Sequence, residues 1–140
     1  GGRTVTETDV MTYAYLSGDL NPIHVDEVFA RATHFGRRLA YGQLVTILAA
    51  GMRTRLGLLE GTAIAMLETT ARYLRPVFIG DTITVEVAVT ETRLSGKGDR
   101  GVVRLGLTVL NQNGEAVQEG EVVQLVRCRG NREGQENDRN

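Results

Sequence analysis

The sequence predicts an α+β domain in which a strongly curved antiparallel sheet covers one long helix. Three observations predict it. Helix-start and helix-spacing signals fill the first part of the chain. The stretch Gln43 to Leu56 is apolar nearly all round until a cationic end. From residue 62 onward the apolar period changes to two, the spacing of strands with one buried face.

Thr6-Glu7-Thr8-Asp9 opens the first helix, with Thr6 as N-cap and Asp9 where a capping box normally carries Glu or Gln. Val10, Tyr13 and Ala14 recur at helical spacing, and Leu16 and Ser17 end the turn. Ser17-Gly18-Asp19-Leu20-Asn21-Pro22 is a loop, because Pro22 pushes Asn21 out of the helical region. A short helix is expected from Asp26 to Thr33. In Gln43–Leu56, Leu44, Val45, Ile47, Leu48 and Met52 leave no polar face, so a sheet or a partner must bury the helix. Arg53 and Arg55 suit its last turn, and Gly57 suits its cap.

Ile83, Val85, Val87 and Val89 alternate with Thr84, Glu86, Ala88 and Thr90, and Val103 to Val109 repeats the pattern. The stretches 63–75 and 116–128 are longer strand candidates, with Gly120 as a candidate bulge in the last one. Asn111-Gln112-Asn113-Gly114 reads as a hairpin tip.

The chain has 140 residues, the size of one domain. Residues 1–128 form it, and 129–140, without a large apolar side chain, are expected to be a disordered tail. Sixteen Lys+Arg stand against 17 Asp+Glu, a net charge of -1, which argues against a nucleic-acid binder. With one cysteine, an internal disulfide and a Cys-rich zinc site are excluded. No stretch is long and apolar enough to span a bilayer, and no signal peptide is visible, so the expectation is a cytoplasmic protein with no membrane partner. One sheet and one helix leave apolar faces open, for which a homodimer is a natural solution.

Ordinary acid–base chemistry here falls to one of two histidines. The densest polar stretch beside apolar sequence, Ser17 to His24, brings Asp19 and His24 close together across a bend. A carboxylate and an imidazole holding one water could hydrate an unsaturated bond or reverse that reaction. The same residues are also ordinary turn chemistry, with Asp19 capping the turn that follows. His34 reads as a boundary residue after a short helix, and Cys128 as a small packing residue.

Tyr13-x-x-Leu16-Ser17-Gly18-Asp19-x-Asn21-Pro22-Ile23-His24-x-Asp26 resembles the hydratase signature of the MaoC-like dehydratases, which include the (R)-specific enoyl-CoA hydratases of the hot-dog fold. Phe35-Gly36-Arg37-Arg38-Leu39-Ala40-Tyr41-Gly42 resembles the segment entering that family's central helix, and Tyr73 to Ile83 its Arg-Pro-Val, Gly-Asp-Thr stretch. The resemblance covers residues 2 to 127.

The resemblance implies that Asp19 and His24 hold and activate water, that Asn21 helps order the loop, and that the Gly42 backbone N–H binds the thioester carbonyl oxygen. It implies (R)-specific hydration of trans-2-enoyl-CoA, or the reverse dehydration. No metal and no cofactor is implied, since coenzyme A belongs to the substrate. The family often has His before the glycine and Met after it; here Tyr41 and Gln43 stand there, as candidates for substrate binding or loop ordering. Ala50 stands where some hydratases carry Ser. Arg37, Arg38, Arg53, Arg55, Arg72 and Arg75 are candidates for the coenzyme A phosphates, and Glu68 lines the pocket or faces solvent. Two alternatives are a hot-dog acyl-CoA thioesterase and a non-catalytic acyl-CoA-binding subunit. The first is disfavoured because Gln43–Leu56 has no Asp or Glu for a helix carboxylate, and the second because Asp19 and His24 are both present.

Overall fold

The computed structural model describes residues 1–128; the tail expected to be disordered, 129–140, lies outside the described residues. A short strand β1 (Arg3–Thr4) leads into helix α1 (Glu7–Ser17). The capping box closes both ways: the Asp9 N–H donates to Thr6 Oγ1 at 3.1 Å, and the Thr6 N–H to Asp9 Oδ2 at 2.9 Å. Arg3 adds a bond to Asp9 Oδ1 at 2.7 Å. Burial works to raise the Asp9 carboxyl, but the Thr6 and Arg3 bonds outweigh it and hold it below the ordinary 3.8. Gly18 ends the helix in the left-handed region at φ 74°, its N–H bonded to Ala14 O.

A short helix not expected from the sequence, α2 (Pro22–Val25), comes next, and the helix expected over Asp26–Thr33 is present after it as the shorter α3 (Glu27–Arg31). Pro22 sits at the first helical position of α2, where a missing N–H goes unnoticed. Asn21 Oδ1 caps α2 by accepting from Ile23 N–H at 3.2 Å, and Asp26 Oδ1 caps α3 by accepting from Phe29 N–H at 2.9 Å.

Helix α4 (Gly42–Thr54) buries Leu44, Val45, Leu48, Ala49 and Met52. Strands β2 (Ala63–Tyr73), β3 (Thr82–Leu94), β4 (Arg100–Leu110) and β5 (Ala116–Arg127) join β1 in one antiparallel sheet, ordered β1-β3-β4-β5-β2. Val109 stands opposite Gln118, Leu105 opposite Val122 and Val103 opposite Gln124, so these six side chains share the face that packs on α4. Val5, Val10, Ala14, Ile83 and Val117 close the core around the helix.

The bulge expected at Gly120 is absent: Gly120 pairs with Ala71 in unbroken register, and the irregularities of β2 lie at its other end, around Ala65 and Leu67. Gly120 answers a different demand. A Cβ there would overlap the Thr70 carbonyl oxygen, so only glycine lets the two strands approach this closely. The Gly80-Asp81 turn is also structural. Gly80 has φ 97°, and the buried Asp81 accepts from Phe78 N–H and from Gln112 Nε2. Among the described residues, no helix is long and apolar enough to cross a membrane.

Candidate active site

The loop from α1 to α2 and the entry to α4 meet at Tyr41. Its side chain is only 2% exposed, and its hydroxyl donates to the Asp19 carbonyl oxygen. Burial, then the Asp19 charge and then Tyr13, push its phenol above the ordinary 10.0, so it stays a donor. Its ring stacks on His24 with centroids 3.8 Å apart, and the Tyr13 ring lies against it with centroids 4.7 Å apart.

His24 projects from α2. Its Nδ1 lies 2.9 Å from the Leu39 carbonyl oxygen, which can only accept, so Nδ1 carries the hydrogen and Nε2 is the free acceptor of the neutral ring. Leu39 is itself held by two backbone bonds nearby: its N–H donates to Ile23 O at 3.2 Å, and the Ala40 N–H donates to Val77 O at 2.8 Å.

Asp19 is exposed. Its Oδ1 accepts from Asn21 N–H at 3.0 Å, and the Asp19 and His24 side chains share no hydrogen bond. Asp19 therefore does cap the turn, as the plain reading of the loop allows, while Asn21 orders the start of α2. A water or substrate must bridge Asp19 to His24 if the two act together.

His24, Gly42 and Gln43 line one open cavity of about 520 Å³, with Tyr73, Val77 and Gln118. Gly42 is the first residue of α4, and no side chain caps that end. Its unpaired N–H groups and dipole make it a place for a developing negative charge. A Cβ on Gly42 would lie 2.8 Å from Tyr73 Cε1, so the glycine makes room for the Tyr73 ring. Tyr73 is a site residue that periodicity does not reveal, because it sits at the end of a strand with no alternation to mark it.

These features match one family over most of the chain: the MaoC-like domain matches residues 1–111. The chain belongs to the MaoC-like domain family. An (R)-specific enoyl-CoA hydratase of Rhodospirillum rubrum is 36% identical over 129 residues, 91% of this chain and 84% of that protein. One from Aeromonas caviae is 34% identical over 115 residues, 82% of this chain and 81% of that protein. A solved Archaeoglobus structure described as a monoamine oxidase regulatory protein superposes with TM-score 0.84 at 42% identity, covering 91% of this chain and 85% of that one. A Mycobacterium tuberculosis protein with a double hot-dog fold, 19% identical, superposes with TM-score 0.79 over 91% of this chain and 40% of that one. The fold of this MaoC-like domain is the hot-dog.

The arginines divide. Arg38 is paired with Glu7 and Glu27, and Arg72 with Glu119 at 2.7 Å. Arg75 donates to Ala116 O at 2.7 Å, and Arg37 lies over the Phe78 ring at 3.9 Å. Arg53 is buried. Arg37 and Arg55 are exposed and form no ion pair among the described residues. Glu68 is exposed and lies outside the cavity, as does His34, which packs on Phe35 in the turn after α3.

Proposed function

We propose that this MaoC-like domain catalyses (R)-specific hydration of trans-2-enoyl-CoA to 3-hydroxyacyl-CoA, and the reverse dehydration. The observation that carries the reading is the shared cavity: His24, whose Nε2 makes no hydrogen bond among the described residues, and Gly42 at the uncapped N-terminus of α4 line the same space. The enzyme names of the two curated relatives support it.

The thioester carbonyl oxygen docks on the Gly42 N–H. Water held between Asp19 and His24 loses a proton to the pair as its oxygen bonds to the β-carbon. The π electrons shift toward the thioester, and charge builds on the carbonyl oxygen at the helix N-terminus. The pair then returns a proton to the α-carbon. Dehydration runs the same steps in reverse. Asn21 and Tyr41 hold the loop that carries Asp19, and Gln43 borders the acyl group.

The working unit is proposed to be a homodimer. Strand β2 is an edge strand, and it exposes Ile64, Met66 and Leu67. A long apolar edge is normally covered.

The test follows loss of the conjugated thioester absorbance of crotonyl-CoA. Wild type is expected to hydrate it to the (R)-3-hydroxy product, with Asp19→Asn and His24→Ala slower by about 10²–10⁴-fold. Equal rates in wild type and variants would sink the assignment of the pair. Release of free coenzyme A thiol without hydration would replace the reading with a thioesterase.

A further inference from the structure

Arg53 is the least expected side chain in the core. It is 8% exposed, on the face of α4 that packs against the sheet. One bond holds it, from Nη1 to Gln124 Oε1 at 3.0 Å, while its buried Nε has no partner. No carboxylate pairs with it among the described residues. Burial lowers its pKa, and no neighbouring charge offsets that. A buried cation left this way destabilises the fold, and a hydrophobic side chain of similar volume would serve packing better. Arginine also only donates, so whatever completes this site must accept.

The surroundings say where that acceptor comes from. The cavity at His24 and Gly42 reaches Gln118, whose Oε1 is buried and unpartnered. Gln118 also lines a small cavity of about 40 Å³ between α4, β2 and β5, walled by Ala49, Ala50 and the adaptable Met66. Arg53 also lines that small space and borders a larger cavity of about 410 Å³ with Arg55, Leu58, Leu59, Glu60 and Gln124, where the Glu60 carboxylate makes no ion pair with it. The three spaces are separate cavities with shared walls: Gln118 borders the first two, and Arg53 borders the second and third. Arg53 lies eleven positions beyond Gly42, a rise of about 16 Å, and a helical arginine leans back toward the N-terminus, shortening the gap.

We infer that Arg53 is a specificity-determining residue that binds a carboxylate at the far end of the acyl chain, so that the preferred substrates are carboxyl-ended enoyl thioesters. This rests on the hydratase reading above. The thioester sits at Gly42, the chain passes the small side chains of Ala49 and Ala50, and the terminal carboxylate pairs with the guanidinium. The planar fork of donors suits a carboxylate better than a hydroxyl, and the pairing neutralises the buried charge.

The test compares wild-type kcat/KM for matched methyl-ended and carboxyl-ended trans-2-enoyl-CoA thioesters of about six to twelve carbons, bracketing the helix span. At one length or more, the carboxyl-ended substrate is expected to lead by about tenfold or more, with Arg53→Met reducing that ratio by a similar factor and Arg53→Lys by less. Equal values or a methyl preference at every length in wild type overturns the inference, and that comparison needs no variant to fold. Crotonyl-CoA is run alongside. Its hydration without any carboxyl preference removes this inference and leaves the hydratase reading standing; hydration of no enoyl-CoA at all removes both.

Discussion

The Tyr41 ring lies against the His24 imidazole, 3.8 Å between centroids and 29° between planes, while its hydroxyl donates to the Asp19 carbonyl. One buried side chain thus touches both members of the proposed pair, from the residue just before the helix that would bind the carbonyl. Tyr41→Phe keeps the stacking and loses the tether. It is expected to cost about 1 kcal/mol of stability and to lower kcat by roughly tenfold, with KM little changed. Thermal melting and hydration rates check the two effects separately. An unchanged kcat would leave Tyr41 a packing residue only.

Gly42→Ala probes the other half of the site. The added methyl meets the Tyr73 ring, which is 51% exposed and free to swing toward the cavity. Stability is expected to fall by no more than about 1 kcal/mol, but kcat/KM by about tenfold or more, as ring and methyl intrude where the thioester docks. A wild-type rate would show that the carbonyl docks elsewhere.

The Asp9 capping box gives a pH signature in stability. Its carboxyl is held below 3.8 when folded, so the unfolded chain takes up a proton first as pH falls. The stabilisation is fully present above the unfolded value and fades as pH drops through the lower folded one. Asp9→Ala is expected to lose about 1 kcal/mol at neutral pH, with the gap to wild type closing in acid below 3.8. Urea midpoints across that range measure it. A gap that stays constant into acid would mean the charge of Asp9 contributes nothing.

Sedimentation of the wild-type chain is expected to give twice the chain mass at micromolar concentration. Leu67→Lys, on the exposed edge strand, is expected to shift it toward the monomer, since a charged edge resists pairing. A monomeric wild type would overturn the dimer.

Much of the fold was legible because its signals are local. The Thr6/Asp9 capping box, the apolar run after Gln43 and the alternation of β3 and β4 each lie within a few residues of sequence, and the structure has them where expected. Pro22 keeps Asn21 out of the helical region, as expected, but it also begins the short α2 that was not expected, because a proline that ends one segment equally well begins a helix when an Asn caps it. Gly120 was ambiguous: a bulge and a close strand approach both ask for glycine, and only the partner strand tells them apart. In the site, Asp19 and His24 are neighbours in one short stretch of sequence, and the structure links them through Tyr41 with only His24 lining the cavity. The roles of Tyr73, Leu39 and Arg53 were not legible. Each depends on a partner distant in sequence, and Arg53 in particular reads as an ordinary cation at a helix end until its burial is seen.

The bond between His24 Nδ1 and the Leu39 carbonyl has a consequence for proton traffic. A carbonyl oxygen has no proton to give, so the ring cannot pass one through itself as in a relay. Nε2 is its single port. A proton that enters there must leave by the same side, onto substrate or back to water. In the proposed reaction, taking the proton from water and returning it would therefore both pass through Nε2.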